Sequence, residues 1–265
     1  MTDSFPPAID AAASSIPAIT LEEMEGVKLL NRIDTKYLTD EATLLGLLAD
    51  AWSAGYRVLE IGGIKVSPYN SIYYDTPGMK MFLDHHNRRL VRQKVRTREY
   101  VASGTSFLEI KSKNNHGRTK KKRIGIDEAE MSGFAGNPRA CAYLSAHSRF
   151  TAGDLHPVLS TAFRRITLVN REKTERLTVD TSLFFNNFQT GKKVSLEDAV
   201  VIELKQDGHS ASQMKRILLN HRVKPLRVSK YCLAVTLTDP SVKRGRFKAK
   251  VHAIEKVINK RIQVI

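Results

Sequence analysis

The chain has little cysteine: Cys141 and Cys232 are the only two in 265 residues. They form no Cys-x-x-Cys pair and stand in no Cys/His cluster, which argues against a disulfide scaffold and a structural zinc site. No run of about 18 apolar residues occurs, so no segment reads as a membrane-spanning helix. The N-terminus lacks a basic stretch followed by an apolar one; no secretory signal is expected, and the expected location is the cytoplasm. A Gly-x-x-x-x-Gly-Lys phosphate loop is missing, and Gly62-Gly63 does not replace it. Aromatic residues make up only 7%. Few of them interleave with the basic segments, which weighs against a reader of single-stranded nucleic acid. Acids are scarce too, with 27 Asp plus Glu against 43 Lys plus Arg, for a formal charge of +16.

Such an excess of base favours a polyanionic partner: nucleic acid, an anionic membrane or polyphosphate. At 42% hydrophobic and 26% charged the chain has a globular composition, and it is long enough to bury a substantial core. Residues 1–19 are rich in Pro, Ala and Ser and read as a flexible leader. Residues 20–240 read as a single domain, and 241–265 as a basic C-terminal helix or tail.

Thr20 and Glu23 form a capping box for a short helix through Leu30. Asp40 caps a second helix with the stripe Leu44, Leu45, Leu48 and Trp52. Ser210 and Gln213 form a second box for a helix through Leu219. Strands are expected at 33–38, 71–75, 91–100, 107–113, 119–126, 158–169, 176–183, 200–205 and 227–237. Residues 127–157 read as a mixed helical and loop insertion. His85-His86 is expected in a surface turn, because adjacent histidines point apart and make no metal pair. His116 falls in a hairpin turn, and Cys141 is expected to be buried and inert.

Alternation along the strands places the charges. Successive strand side chains point to opposite faces. Arg92, Lys94, Arg96 and Arg98 therefore share one face, against Val91, Val95 and Thr97. Glu109, Lys111 and Lys113 oppose Leu108 and Ile110. Arg176, Thr178 and Asp180 oppose Leu177 and Val179, and Glu203 and Lys205 oppose Ile202 and Leu204. Arg165 falls with Phe163 and Thr167. One wet sheet face would explain any single strand. If the faces converge instead, two like charges about 6 Å apart repel by roughly 3 kcal/mol at an effective dielectric of 20, so bound anions or solvent must offset the cluster. A basic interior of that kind suits polyphosphate or triphosphate, with Arg as bidentate fork and Lys as point charge.

Seven segments then match one family in order: Asp34-Thr35-Lys36-Tyr37, Ser71-Ile72-Tyr73-Tyr74-Asp75-Thr76, Val95-Arg96-Thr97-Arg98-Glu99-Tyr100, Phe107-Leu108-Glu109-Ile110-Lys111, Arg176-Leu177-Thr178-Val179-Asp180, Val201-Ile202-Glu203-Leu204-Lys205 and Ser229-Lys230-Tyr231. Over roughly Asn31 to Asp239 the chain resembles the polyphosphate polymerase (VTC) domain, of the CYTH-like triphosphate tunnel metalloenzymes. The resemblance implies an α+β fold, an antiparallel β-barrel or tunnel with helices packed outside. It implies transfer of the γ-phosphate of ATP to a polyphosphate chain end, with Mn²⁺ or Mg²⁺. It also implies phosphate-binding roles for Lys36, Arg96, Arg98, Lys111, Arg165, Arg176 and Lys230, with either Lys121 or Lys122 beside them, and a metal-binding role for Glu203. Lys205 joins this set through its place beside Glu203. Arg96, Arg98, Lys230 and Glu203 are the expected catalytic groups.

The related triphosphatases carry Glu-x-Glu-x-Lys on their first strand, where this chain has Arg32-Ile33-Asp34-Thr35-Lys36. The single acid favours polymerase over hydrolase. A triphosphatase and a non-catalytic polyphosphate-binding module are the alternatives. ATP and polyphosphate are the expected partners, no specific nucleic acid is expected, and a separate membrane partner is open. The tail carries Lys243, Arg244, Arg246, Lys248, Lys250, Lys256, Lys260 and Arg261 against Glu255, with Val251, Ile254, Ile258 and Ile262 at helical spacing. It could cap the tunnel, lie on an anionic membrane or meet an acidic protein.

Overall fold

The computed structural model describes residues 7–25, 32–208 and 211–265. Its strands are β1 (Ala18–Ile19), β2 (Arg32–Asp40), β3 (Arg57–Leu59), β4 (Ser67–Asp75), β5 (Arg92–Tyr100), β6 (Thr105–Lys113), β7 (Thr119–Ile126), β8 (His156–Val169), β9 (Glu175–Asn187), β10 (Lys193–Leu196) and β11 (Ala199–Asp207). The helices are α1 (Pro7–Ser15), α2 (Leu21–Glu25), α3 (Glu41–Ser53), α4 (Lys80–His86), α5 (Pro138–His147), α6 (Gln213–Asn220), α7 (Lys230–Thr238) and α8 (Lys248–Val257).

The strands join in one sheet with the main order β2-β11-β9-β8-β4-β5-β6-β7, antiparallel along that path, with β1 joined in parallel to β3. Strands lie about 4.8 Å apart, so β6 and β11 would stand roughly 24 Å apart in a flat sheet. Yet Lys111 of β6 interacts electrostatically with Glu203 of β11 and Lys36 of β2. The sheet is therefore strongly curled, with its two ends brought round towards each other. Among the described residues no pairing joins β2 to β7.

The convex face holds Tyr37, Ile166, Leu168, Leu177, Val179, Ile202 and Leu204, packed under α1, α3 and α6. Farther round, Val95, Leu108, Ile110 and Ile126 pack under α5. These are the apolar sides predicted by alternation. On the concave side, one end is filled by α7, whose Tyr231 stacks on Tyr73 with ring centroids 5.1 Å apart. Leu38, Leu159, Phe163, Phe185 and Val201 complete that cluster. The fold is the expected α+β antiparallel tunnel with outer helices, its sheet curled but unclosed among the described residues, and α7 sits inside.

Helix α7 replaces the strand expected at 227–237. It is buried on nearly every side, including Tyr231, Cys232, Ala234 and Val235, so its sequence lacks the amphipathic period that marks a surface helix. Its start is fixed by Ser229, whose hydroxyl accepts from the Cys232 amide. The proposed leader is ordered from Pro7: Ile9, Ala13 and Ile16 enter the core, and Asp10 pairs with Arg164. The Thr20/Glu23 box forms, although part of the helix expected to Leu30 lies outside the described residues. Asp40 caps α3, whose stripe uses Leu47 and Ala51 and leaves Trp52 exposed. Helix α6 is capped by Ser212, whereas Ser210 lies outside the described residues. His85 and His86 belong to α4 and pack near Phe247. Cys141 is half-buried. The tail is integral to the domain, with Ile254 and Ile258 in the α7 cluster and Ile265 exchanging two backbone hydrogen bonds with Lys193.

Candidate active site

On the concave face the carboxylates of Glu109, Asp180 and Glu203 are each held between two bases. Glu109 accepts from Arg96 at 2.6 and 2.8 Å and from Lys121 at 2.9 Å. Asp180 accepts two hydrogen bonds from Arg165, at 2.6 and 2.8 Å, and a further one from Lys230 at the first turn of α7. Glu203 pairs with Lys36 at 2.5 Å and Lys205 at 3.2 Å. The interleaved acids offset much of the repulsion that a purely basic interior would suffer. Buried charges are tolerated when paired in this way.

Arg98 is the exception. It is 5% exposed, donates from Nε to Ser71 Oγ at 2.9 Å and lies over the rings of Tyr69 and Phe163, 5.5 Å from each centroid. Among the described residues no carboxylate lies within ion-pair distance of it. Burial, followed by Arg96 and Arg165, lowers its guanidinium to about 10. Burial likewise brings Lys111 down to about 8, with Glu203 opposing and Lys36, Lys94 and Arg96 adding to the shift. Lys111 is nevertheless solvent-exposed, crowded by neighbouring bases on the concave face without being enclosed. The carboxyls of Glu109, Asp180 and Glu203 lie well below their usual range: burial would raise them, and the neighbouring bases overcome it. Tyr73 behaves similarly. Burial raises it, but Arg96, Arg98 and Lys94 bring the phenol down to about 8.

The geometry therefore gathers Lys36, Arg96, Arg98, Lys111, Lys121, Arg165, Lys205, Lys230 and Glu203 on one inner surface. Arg176 joins them by register, opposite Lys205 on the neighbouring strand. Lys122 does not. Strand alternation turns it outward, where its Nζ lies 3.1 Å from His147 Nδ1; Lys121 alone faces inward. His116 is exposed in its turn. The sequence reading missed Lys94 and Ser229 as a pair, 2.7 Å apart, because Ser229 lay in a supposed strand. Alternation places Glu109 and Asp180 on the basic faces without naming their partners, which the structure shows to be Arg96 and Lys121 for Glu109 and Arg165 and Lys230 for Asp180.

A model of the VTC domain matches residues 31–238. The chain belongs to the VTC domain family. A search of curated proteins finds no match. Among solved structures, this VTC-domain chain is similar to a candidate adenylate cyclase of Bacillus halodurans, with 13% identity, coverage of 76% of this chain and 96% of that one, and a TM-score of 0.49. It is also similar to a candidate adenylyl cyclase of Hippeastrum with a dominant triphosphatase activity, at 16% identity, 78% and 96% coverage and a TM-score of 0.48.

A divalent ion asks more of this VTC site than a carboxylate count. Among the described residues no group of three His, Cys, Asp or Glu side chains could hold one. Of the three paired carboxylates Glu203 is the most accessible: its side chain is 18% exposed, against 1% for Glu109 and 5% for Asp180. Mg²⁺ commonly uses one or two carboxylates and takes the rest of its shell from water and phosphate. Glu203 fits that pattern for an ion that arrives with a phosphate chain.

Proposed function

We propose that the chain is an ATP-dependent polyphosphate polymerase that works inside the curled sheet. The observation that supports this most is the gathering of Arg96, Arg98, Arg165, Lys111 and Lys230 from separate segments onto one concave surface. Membership of the VTC family supports the same reading.

Phosphoryl transfer needs positioning and charge neutralisation more than covalent catalysis by protein groups. The terminal oxygen of a polyphosphate chain attacks the γ-phosphorus of ATP; the bond from that phosphorus to the β,γ-bridging oxygen breaks, and ADP leaves. The attacking oxygen is already ionised, so no general base is assigned. Arg98, buried without a carboxylate, is the group most in need of an anion and is assigned to the transferred phosphoryl group. Arg96 and Lys230 flank it, and Lys36, Lys111, Lys121, Arg165, Arg176 and Lys205 hold the rest of the chain. Mn²⁺ or Mg²⁺, held by Glu203, would neutralise charge on phosphate oxygens.

Incubation with ATP and Mn²⁺ tests this reading. Polymer retained on a gel, with ADP formed in step, is the expected result. Release of orthophosphate alone would assign the site to a triphosphatase, in which water is the nucleophile. Tight polyphosphate binding without turnover would leave a non-catalytic binding module.

A further inference from the structure

Beyond one end of the channel the bases are no longer balanced by acids. No Asp or Glu occurs between Asp84 and Glu99, or between Asp239 and Glu255. These two stretches meet in space: Phe247, just before α8, packs against Phe82 and His86 of α4, and Arg246 donates to the His86 carbonyl at 3.2 Å. Lys250 of α8 interacts electrostatically with Arg88, Arg227 and Lys94, so both stretches share one field of positive charge. Among the described residues none of Arg88, Arg89, Arg92 and Lys250 forms an ion pair. Inside the bore, by contrast, six bases share Glu109, Asp180 and Glu203.

The tip of this patch is apolar. Leu90 and Val91 are 58% and 56% exposed and adjacent, with Arg88, Arg89 and Arg92 around them. Arg88 has φ +58°, a left-handed conformation that favours glycine or asparagine. The chain thus carries an arginine where local geometry would prefer another residue. A soluble polyanion would account for the bases but not for the two exposed aliphatic side chains. A surface with acidic headgroups above hydrocarbon accounts for both.

We propose that the loop of residues 87–91, together with Arg92 at the start of β5 and Lys250 of α8, is a docking surface for an anionic lipid bilayer. Arg88, Arg89, Arg92 and Lys250 meet the headgroups, and Leu90 and Val91 enter the boundary between headgroups and acyl chains. The channel end where Arg92 pairs with Lys113 across β5 and β6 is then turned towards the membrane. This proposal is independent of the reaction assigned to the bore.

Vesicle sedimentation with the full chain tests it, using phosphatidylcholine alone and phosphatidylcholine mixed with phosphatidylserine. The wild type should partition onto the mixed vesicles and not onto the neutral ones. Each arginine near an anionic surface contributes about a fivefold change in partition. Arg88→Asn with Arg89→Gln should therefore weaken binding by roughly 25-fold. Leu90→Ser with Val91→Ser, which leaves the charge unchanged, should weaken it several-fold. All four positions are exposed, and an unchanged melting temperature verifies folding. Equal partition onto both vesicle types overturns the proposal, as does indifference to the Leu90/Val91 pair. Loss of long-chain polyphosphate binding in the arginine variant, with lipid binding retained, overturns it in favour of a polyanion track.

Discussion

Arg165 grips Asp180 through two hydrogen bonds, Nε to Oδ1 at 2.6 Å and a terminal nitrogen to Oδ2 at 2.8 Å. Lys230 takes the same carboxylate from α7. One acid thus joins β8, β9 and the inner helix while balancing two bases assigned to phosphate. Asp180→Asn should lower stability by about 3–5 kcal/mol, since it strands buried charge. Tripolyphosphate should restore more of the melting temperature in the variant than it adds to the wild type, because an anion takes over the missing charge. Thermal denaturation with and without tripolyphosphate tests both statements.

Arg98 should behave in the opposite way. It is buried without a carboxylate partner, and its lowered pKa of about 10 reflects burial and the repulsion of Arg96 and Arg165. Arg98→Met should leave the ligand-free protein as stable as the wild type or more so, because a buried, poorly compensated charge is removed. Tripolyphosphate affinity should fall by about tenfold or more, the loss of one charge-assisted contact. A destabilised variant with unchanged affinity would contradict this role.

Lys111 sets a pH dependence. Its folded pKa of about 8 lies below the unfolded value of 10.5. Between these values the unfolded chain binds the proton and the folded chain does not, so this residue's contribution to stability rises with pH across that window. Below about pH 8 the folded protein carries the disfavoured charge. An anion beside Lys111 favours the charged form, so tripolyphosphate binding near pH 8 should take up protons. Calorimetry in buffers of different ionisation enthalpy measures that uptake, and Lys111→Met should reduce it.

Neighbouring lysines on β7 separate inside from outside. Lys121→Ala should weaken tripolyphosphate binding several-fold, while Lys122→Ala should change it little, because Lys122 lies beside His147. Equal effects would mean that β7 binds phosphate only through its general charge.

Most of the inner surface was legible because strand periodicity is strict. Arg96, Arg98, Lys111, Arg176, Glu203 and Lys205 were placed on the basic faces by alternation alone, and the sheet honours that register. Lys36 and Lys230 came only from the family resemblance. Periodicity failed where burial has no side: α7 is enclosed, so Tyr231, Val235 and their neighbours read as a β-rich run. Composition misled at the N-terminus, where Ile9, Ala13 and Ile16, at helical spacing, anchor a segment whose Pro, Ala and Ser content suggested a flexible leader. Glu109 faces Arg96 and Asp180 faces Arg165 across neighbouring strands, pairings that depend on strand partner and register, which alternation along one strand does not fix.

A crystal structure with bound tripolyphosphate tests the central claim most directly. Phosphate oxygens within hydrogen-bonding distance of Arg98, Arg96 and Lys230, on the concave side of the sheet, are the expected result. A tripolyphosphate bound only to exterior bases, with those three side chains untouched, would contradict the account.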